Sequence, residues 1–171
     1  MEILATGTVA HVGFVDAGQP YVIPLLYHYD GERPDRLYLH GARASRLQQR
    51  LAEGTAVCVT VTLLDSLVAS KDAMHHSANY RSVVCFGSAR PVAEHEKAEL
   101  FGRMTSRYFP GRTLGRDYAP AEPGQLRATS VVEVAIEDWS AKARRGGPKG
   151  PRDDDPGAPG NCGEHDLPPA A

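Results

Sequence analysis

Two runs of alternating apolar residues, 7–15 and 20–29, are separated only by Asp16-Ala17-Gly18-Gln19. Parallel neighbours need a crossover of about a dozen residues or more, so a connection this short commits the two runs to an antiparallel hairpin. In the first, Val9, His11 and Gly13 alternate with Ala10, Val12 and Phe14; the second is rich in Val, Ile, Leu and Tyr. A polar turn, 30–35, then leads to Arg36-Leu37-Tyr38-Leu39-His40-Gly41, which reads as a third antiparallel strand.

The period changes at 43–53. Ala44, Leu47 and Leu51 share one helical face, Gly54 is a stop signal, and Ser45-Arg46-Leu47-Gln48 fits the Ser-x-x-Gln capping box. Period two returns at 56–64, with Val57, Val59 and Val61 opposite Cys58, Thr60 and Thr62, which predicts a central strand. Residues 65–79 hold a short helix at most, before the apolar run 80–86, where Gly87-Ser88-Ala89 predicts a bulge or bend. A helix is expected over 94–108, because Leu100, Phe101, Met104 and Tyr108 form one stripe and acidic residues fill its first turn. A last strand follows at 128–136 with one apolar face. Six short strands with two or three helices set off the sheet favour an antiparallel barrel over a doubly wound parallel sheet.

From Gly146 onward 12 of 26 residues are Gly or Pro and large apolar side chains all but vanish. Such a segment buries too little surface to offset its ordering entropy, so the expectation is a folded domain over 1–145 and a disordered tail over 146–171. A net charge of −2 removes the attraction that non-specific nucleic-acid binding needs. No apolar run approaches the roughly 20 residues that cross a bilayer, and no basic-then-apolar leader opens the chain, so the expected location is the cytoplasm. The three cysteines have no framework spacing, and Cys58 and Cys85 are read as reduced, buried thiols.

Four stretches carry polar chemistry. A strand end, a glycine and a capped helix start bearing two arginines run from Leu37 to Arg46; free N–H groups, a hydroxyl and a guanidinium together suit a phosphate. An ordinary capped helix with solvated arginines has the same spacing. At 75–82, His75, Arg81 and Ser82 crowd a strand entry, although an ordinary polar loop with a surface histidine pair fits equally well. No metal is expected, since adjacent histidines rarely converge on one ion and no third ligand is spaced nearby. Lys142 and Arg144 form a basic cluster after the last strand that reaches an anionic cofactor or simply faces solvent. Asn161-Cys162-Gly163-Glu164-His165 reads as chance. Nucleotide, P-loop, nucleophile-elbow and zinc-protease motifs are absent.

The order and spacing of Gln19-Pro20-Tyr21-Val22-Ile23-Pro24, Leu37-Tyr38-Leu39-His40-Gly41, Ser45-Arg46-Leu47, Thr62-Leu63-Leu64-Asp65, residues 75–84 and Phe86-Gly87-Ser88-Ala89-Arg90-Pro91-Val92 resemble the pyridoxamine 5′-phosphate oxidase-like flavin-binding proteins, over about residues 5–145. They resemble especially the subgroup that includes the nitroimidazole-resistance flavoproteins. This resemblance implies a six-stranded antiparallel split β-barrel and a homodimer holding FMN in clefts between subunits. It puts the flavin ring along Ile23, Pro24 and Leu25 and beside His40 and Gly41. Ser45 and Arg46 would hold the phosphate, and Arg81, Ser82 and Lys142 would add cofactor contacts. The implied activity is an FMN-dependent oxidoreductase acting on a small molecule, with His40 or His75 as the proton-bearing candidates. A flavin-binding protein without turnover, or a barrel hosting haem or a deazaflavin, are the alternatives.

Overall fold

The computed structural model describes residues 2–167. Its elements are α1 (Glu2–Thr6), β1 (Val9–Asp16), β2 (Gln19–Tyr29), β3 (Arg36–Ala42), α2 (Arg46–Ala52), β4 (Ala56–Ala69), β5 (Ser77–Pro91), α3 (Lys97–Tyr108), α4 (Pro123–Ala128), β6 (Thr129–Arg144) and β7 (Gly163–His165), with single 3-10 turns at Ala73–His75 and Glu94–Glu96. The sheet order is β1-β2-β3-β6-β5-β4-β7, and β1 also pairs with β4. Six strands therefore close into a ring, the mainly β split barrel that the resemblance implies. The hairpin forms as expected, from Val9↔Leu26 to Asp16↔Gln19, and β2–β3 and β3–β6 are antiparallel.

The described chain divides into two compact units, 2–61 with 84–140 and 62–83 with 141–167; β4, β5 and β6 each contribute residues to both. In the first unit the register places Leu37 opposite Val134 and Leu39 opposite Val132, and all four are buried with Ala10, Val12, Phe14, Val57, Val59 and Val61. Each buried Val, Leu or Phe side chain among them is worth roughly 1.5–3 kcal/mol of transfer free energy. On the other face of the same strands, Tyr38 and Val131 pack against Leu100 and Met104 of α3, with Val92 and Phe101 alongside. Ser130–Val134 is thus buried on both faces, where the alternation in the sequence predicts one; α3 covers the second. Glu133 lies in that covered face because Arg36, at 3.1 Å, and Arg90, at 2.7 Å, neutralise it.

Three local details go beyond the sequence reading. β5 runs through Gly87 as one strand, and a Cβ there would collide with the Ala135 carbonyl oxygen, so the glycine permits close backbone approach to β6. Cys85 is buried but Cys58 only half-buried, because Val57, Val59 and Val61 take the core face of β4. The hairpin is preceded by α1, whose Leu4 is fully buried; its carbonyl accepts from Tyr27 Oη at 2.7 Å and from Arg107 at 2.9 Å.

In the second unit the segment from Gly146, read from composition as disordered, is tied down as far as it is described, while 168–171 lie outside the described residues. Asp153 accepts from Ser70 Oγ at 2.9 Å, the Lys71 N–H at 2.7 Å and the Gly150 N–H at 2.5 Å. Glu164 accepts from Ser66 Oγ and, at 3.0 Å, from Asn79 Nδ2, and β7 pairs with Leu67–Ala69. Polar contacts, which composition does not display, stand in for the missing apolar burial. Among the described residues no helix is long and apolar enough to cross a membrane.

Candidate functional site

The pairing of β2 with β3 spans only Tyr27↔Leu39 to Tyr29↔Leu37. Beyond it the two strands part: β2 continues back through Leu25 and Ile23, whereas His40, Gly41 and Ala42 of β3 turn to pair with β6 alone. A cavity of about 540 Å³ opens in the gap, lined by Phe14, Tyr21, Ile23, Leu25, His40, Gly41, Ala42, Ser45, Arg46, Leu47 and Gln48. One wall is aliphatic and aromatic, with the Phe14 and Tyr21 rings stacked at 5.4 Å. The opposite rim is the start of α2.

At that rim the expected capping box is half made. Ser45 Oγ accepts from the Gln48 N–H at 3.3 Å, but the Ser45 N–H donates to the Ala42 carbonyl at 2.9 Å, so the return bond from the Gln48 side chain has no donor to meet. Gln48 is 1% exposed, and neither Oε1 nor Nε2 has a hydrogen-bond partner. Gly41 makes room for it: a Cβ there would lie 3.3 Å from Gln48 Cγ and Nε2. His40 Nδ1 is likewise buried and unpartnered. Burial lowers the His40 pKa, which keeps its imidazole neutral at neutral pH, and its ring meets Phe101 edge-on at 5.5 Å.

The charge on the rim is Arg46. Its guanidinium stacks over the Tyr21 ring at 4.8 Å and lies 3.5 Å from Asp16, which also pairs with Arg50 at 2.8 Å. Arg43 turns elsewhere, donating to the Arg127 carbonyl at 2.9 Å and to Glu94 at 2.5 Å.

Six of the ten residues expected to touch the cofactor therefore share this cavity: Ile23, Leu25, His40, Gly41, Ser45 and Arg46. Pro24 does not line it, because alternation along β2 turns that residue to the opposite face, beside His11. Arg81, Ser82 and Lys142 belong to the second unit and do not line it either. There Arg81 is paired with Asp65 at 2.8 Å, Ser82 Oγ donates to the Lys142 carbonyl at 3.4 Å, and the Lys142 ammonium lies 6.0 Å from the Tyr80 ring centre. Arg144 donates to Asn79 Oδ1 and the Gly146 carbonyl, so part of the basic cluster fastens the tail. His75 ends an exposed turn in the second unit. Sequence reasoning missed Phe14, Tyr21 and Gln48 as lining residues. The first two were legible as strand positions on the face of Ile23, and Gln48 as a polar residue on the turn that the capping box opens.

These residues fit a flavin. Tyr21, Ile23 and Leu25 suit an aromatic ring, Ser45 and Arg46 suit a phosphate, and the unpartnered amide and imidazole await polar partners that the protein does not provide.

A family model described as pyridoxamine 5′-phosphate oxidase matches residues 1–143. No curated protein matches the chain. Among solved structures, the FAD and haem binding protein from Mycobacterium smegmatis is 32% identical with a TM-score of 0.85, covering 96% of this chain and 78% of that one. The flavocytochrome Anf3 from Azotobacter vinelandii is also 32% identical, with a TM-score of 0.81 over 99% of this chain and 79% of that one. A 5-nitroimidazole antibiotic resistance protein from Bacteroides thetaiotaomicron, at 22% identity and a TM-score of 0.64 over 82% and 79%, shares the fold.

Proposed function

The chain belongs to the pyridoxamine 5′-phosphate oxidase family of flavin-binding split barrels, and from that premise we propose that it is an FMN-dependent oxidoreductase whose flavin occupies the cavity between β2 and the end of β3. The observation that carries this reading is the convergence of Ile23, Leu25, His40, Gly41, Ser45 and Arg46 on one cavity of about 540 Å³. A bound flavin supplies hydride or electron transfer at its ring. What the chain contributes is placement. Ile23, Leu25 and Tyr21 exclude water along the ring, Ser45 and Arg46 anchor the phosphate, and Gly41 leaves the β3 wall open to the Gln48 amide. His40 Nδ1, neutral and without a protein partner, is the atom at which this chain would hold a proton for a small-molecule substrate.

The proposal extends to a homodimer. On the face of the hairpin turned away from the cavity, Val9, Val15, Val22 and Leu26 are exposed, with Pro20, Pro24 and His11 between them; a copy seated there leaves the flavin cavity within one protomer, unlike the interface-bound FMN that the resemblance implies. A mostly apolar sheet face of this kind suits a second copy. Light scattering of the protein and of Val22→Lys tests it, the expected result being a dimer that the lysine disrupts.

The visible spectrum of the purified protein, with the mass of what it releases on denaturation, tests the cofactor: a flavin spectrum and the mass of FMN are expected. Reoxidation of the reduced holoprotein by candidate acceptors, compared with free FMN, tests turnover; equal rates indicate a flavin-binding protein without activity of its own. A second reading, a flavin and haem binding protein, is favoured by the two structures at 32% identity, and a Soret band in the same spectrum would establish it in place of the first.

A further inference from the structure

Gln48 stands out among the side chains around the cavity because it combines near-complete burial with an entirely unpaired carboxamide. Its Nε2 and Oε1 both lack partners, although the residue is 1% exposed. A buried amide without a partner destabilises a fold, so such groups are nearly always matched. Two local features leave this one free. The Ser45 N–H, which the capping box would offer to the Gln48 side chain, is taken by the Ala42 carbonyl. The missing Cβ at Gly41 then lets the amide lie against the β3 wall of the cavity. Its terminal torsion is broad and soft, so the amide plane turns toward an arriving partner at little cost.

A carboxamide presents a donor and an acceptor side by side in one plane. Its complement is a group that presents an acceptor and a donor in the same way: a lactam or imide edge, in which a ring N–H adjoins a C=O. Neither a phosphate nor an aliphatic chain offers that pair, nor does the edge of a porphyrin ring. The pyrimidine end of a flavin does, with its N3–H flanked by two carbonyls.

We propose that Gln48 is the specificity-determining residue of this cavity, reading the imide edge of the bound flavin by accepting from N3–H and donating to an adjacent carbonyl. This rests on the flavin reading above and selects flavin over haem at this cavity. It also fixes the direction of the ring, pyrimidine end toward Gly41 and Gln48.

The test is a titration of the apoprotein with FMN and with 3-methyl-FMN, which lacks the N3–H, followed by flavin fluorescence. Wild type should bind FMN about tenfold or more tightly than the methyl analogue, as expected for one to two hydrogen bonds. In Gln48→Met, an apolar side chain of similar length, FMN should weaken to about the level of the analogue and the preference should disappear. Equal binding of the two flavins by wild type overturns the proposal without needing any variant. So does a preference that persists in Gln48→Met, since the methyl group is then excluded by shape alone. Failure of FMN to bind wild type at all overturns it together with the flavin reading, and is distinguished from the first outcome because neither flavin then gives a signal.

Discussion

Asp16 ties the tip of the β1–β2 hairpin to α2, its carboxylate 2.8 Å from Arg50 and 3.5 Å from Arg46. The guanidinium assigned to the flavin phosphate is therefore partly neutralised before any anion arrives. Asp16→Asn should tighten FMN binding by about twofold to fivefold, the scale of a partly exposed ion pair, with the gain shrinking at high salt. Ser45→Ala with Arg46→Ala should release FMN while leaving the far-ultraviolet dichroism unchanged. Fluorescence titration at two ionic strengths checks both; wild-type affinity in the double variant removes Ser45 and Arg46 from the phosphate site.

Gln48→Met should stabilise the apoprotein, an outcome that ordinary core glutamines, with their hydrogen bonds made, do not show. Removing an amide that is buried and unpaired recovers about 1 kcal/mol, or roughly 2–4 °C in Tm for a chain of this size. Thermal melts of the flavin-free proteins measure it. A lower Tm would mean the amide is satisfied by ordered water.

His28 gives a pH dependence. It is 6% exposed, neither ring nitrogen has a partner, and burial first, then Arg107, lowers its pKa despite the opposing charge of Asp30. His40 is lowered by burial alone. The unfolded chain, with histidines near 6.5, takes up protons before the folded one does, so stability is full above about pH 6.5 and falls as pH drops toward the lowered folded values. Urea midpoints between pH 8 and 5 should show that fall, and His28→Phe should flatten it.

The tail should detach in acid. Glu164 is held below the usual carboxylate range by the Ser66 hydroxyl and then by the Asn79 amide. Its contribution is present above the unfolded value near 4.3 and is lost as pH falls through the lower folded one. Limited proteolysis should cut within 150–167 slowly at neutral pH and faster below about pH 4. Asp153→Ala, which removes the acceptor shared by Ser70, Lys71 and Gly150, should give fast cleavage at every pH.

Much of the barrel is legible in the sequence because a strand writes its faces at period two. Val57, Val59 and Val61 announce the core side of β4, and Asp16-Ala17-Gly18-Gln19 announces the hairpin. The second buried face of β6 is not legible: Val131 and Glu133 are covered by α3 and by two arginines distant in the chain, and no local pattern encodes that cover. The tail misleads for the same reason. Its Gly and Pro content argues disorder correctly from apolar burial, but Asp153 and Glu164 meet partners in β4, β5 and the loop after β4, some 80 or more residues away.

By itself the sequence determined the antiparallel hairpin, the helix start at Ser45, the apolar strand faces and, through the order of its motifs, the family. Those properties are set by neighbours along the chain, where periodicity and capping act. The cavity was decided only in three dimensions, because it exists where β2 and β3 cease to pair and part, and Pro24, adjacent to two of its lining residues, turns away from it. The unpaired amide of Gln48 is likewise a tertiary fact: the capping box predicts a partner for it, and the backbone of Ala42 takes that partner's place.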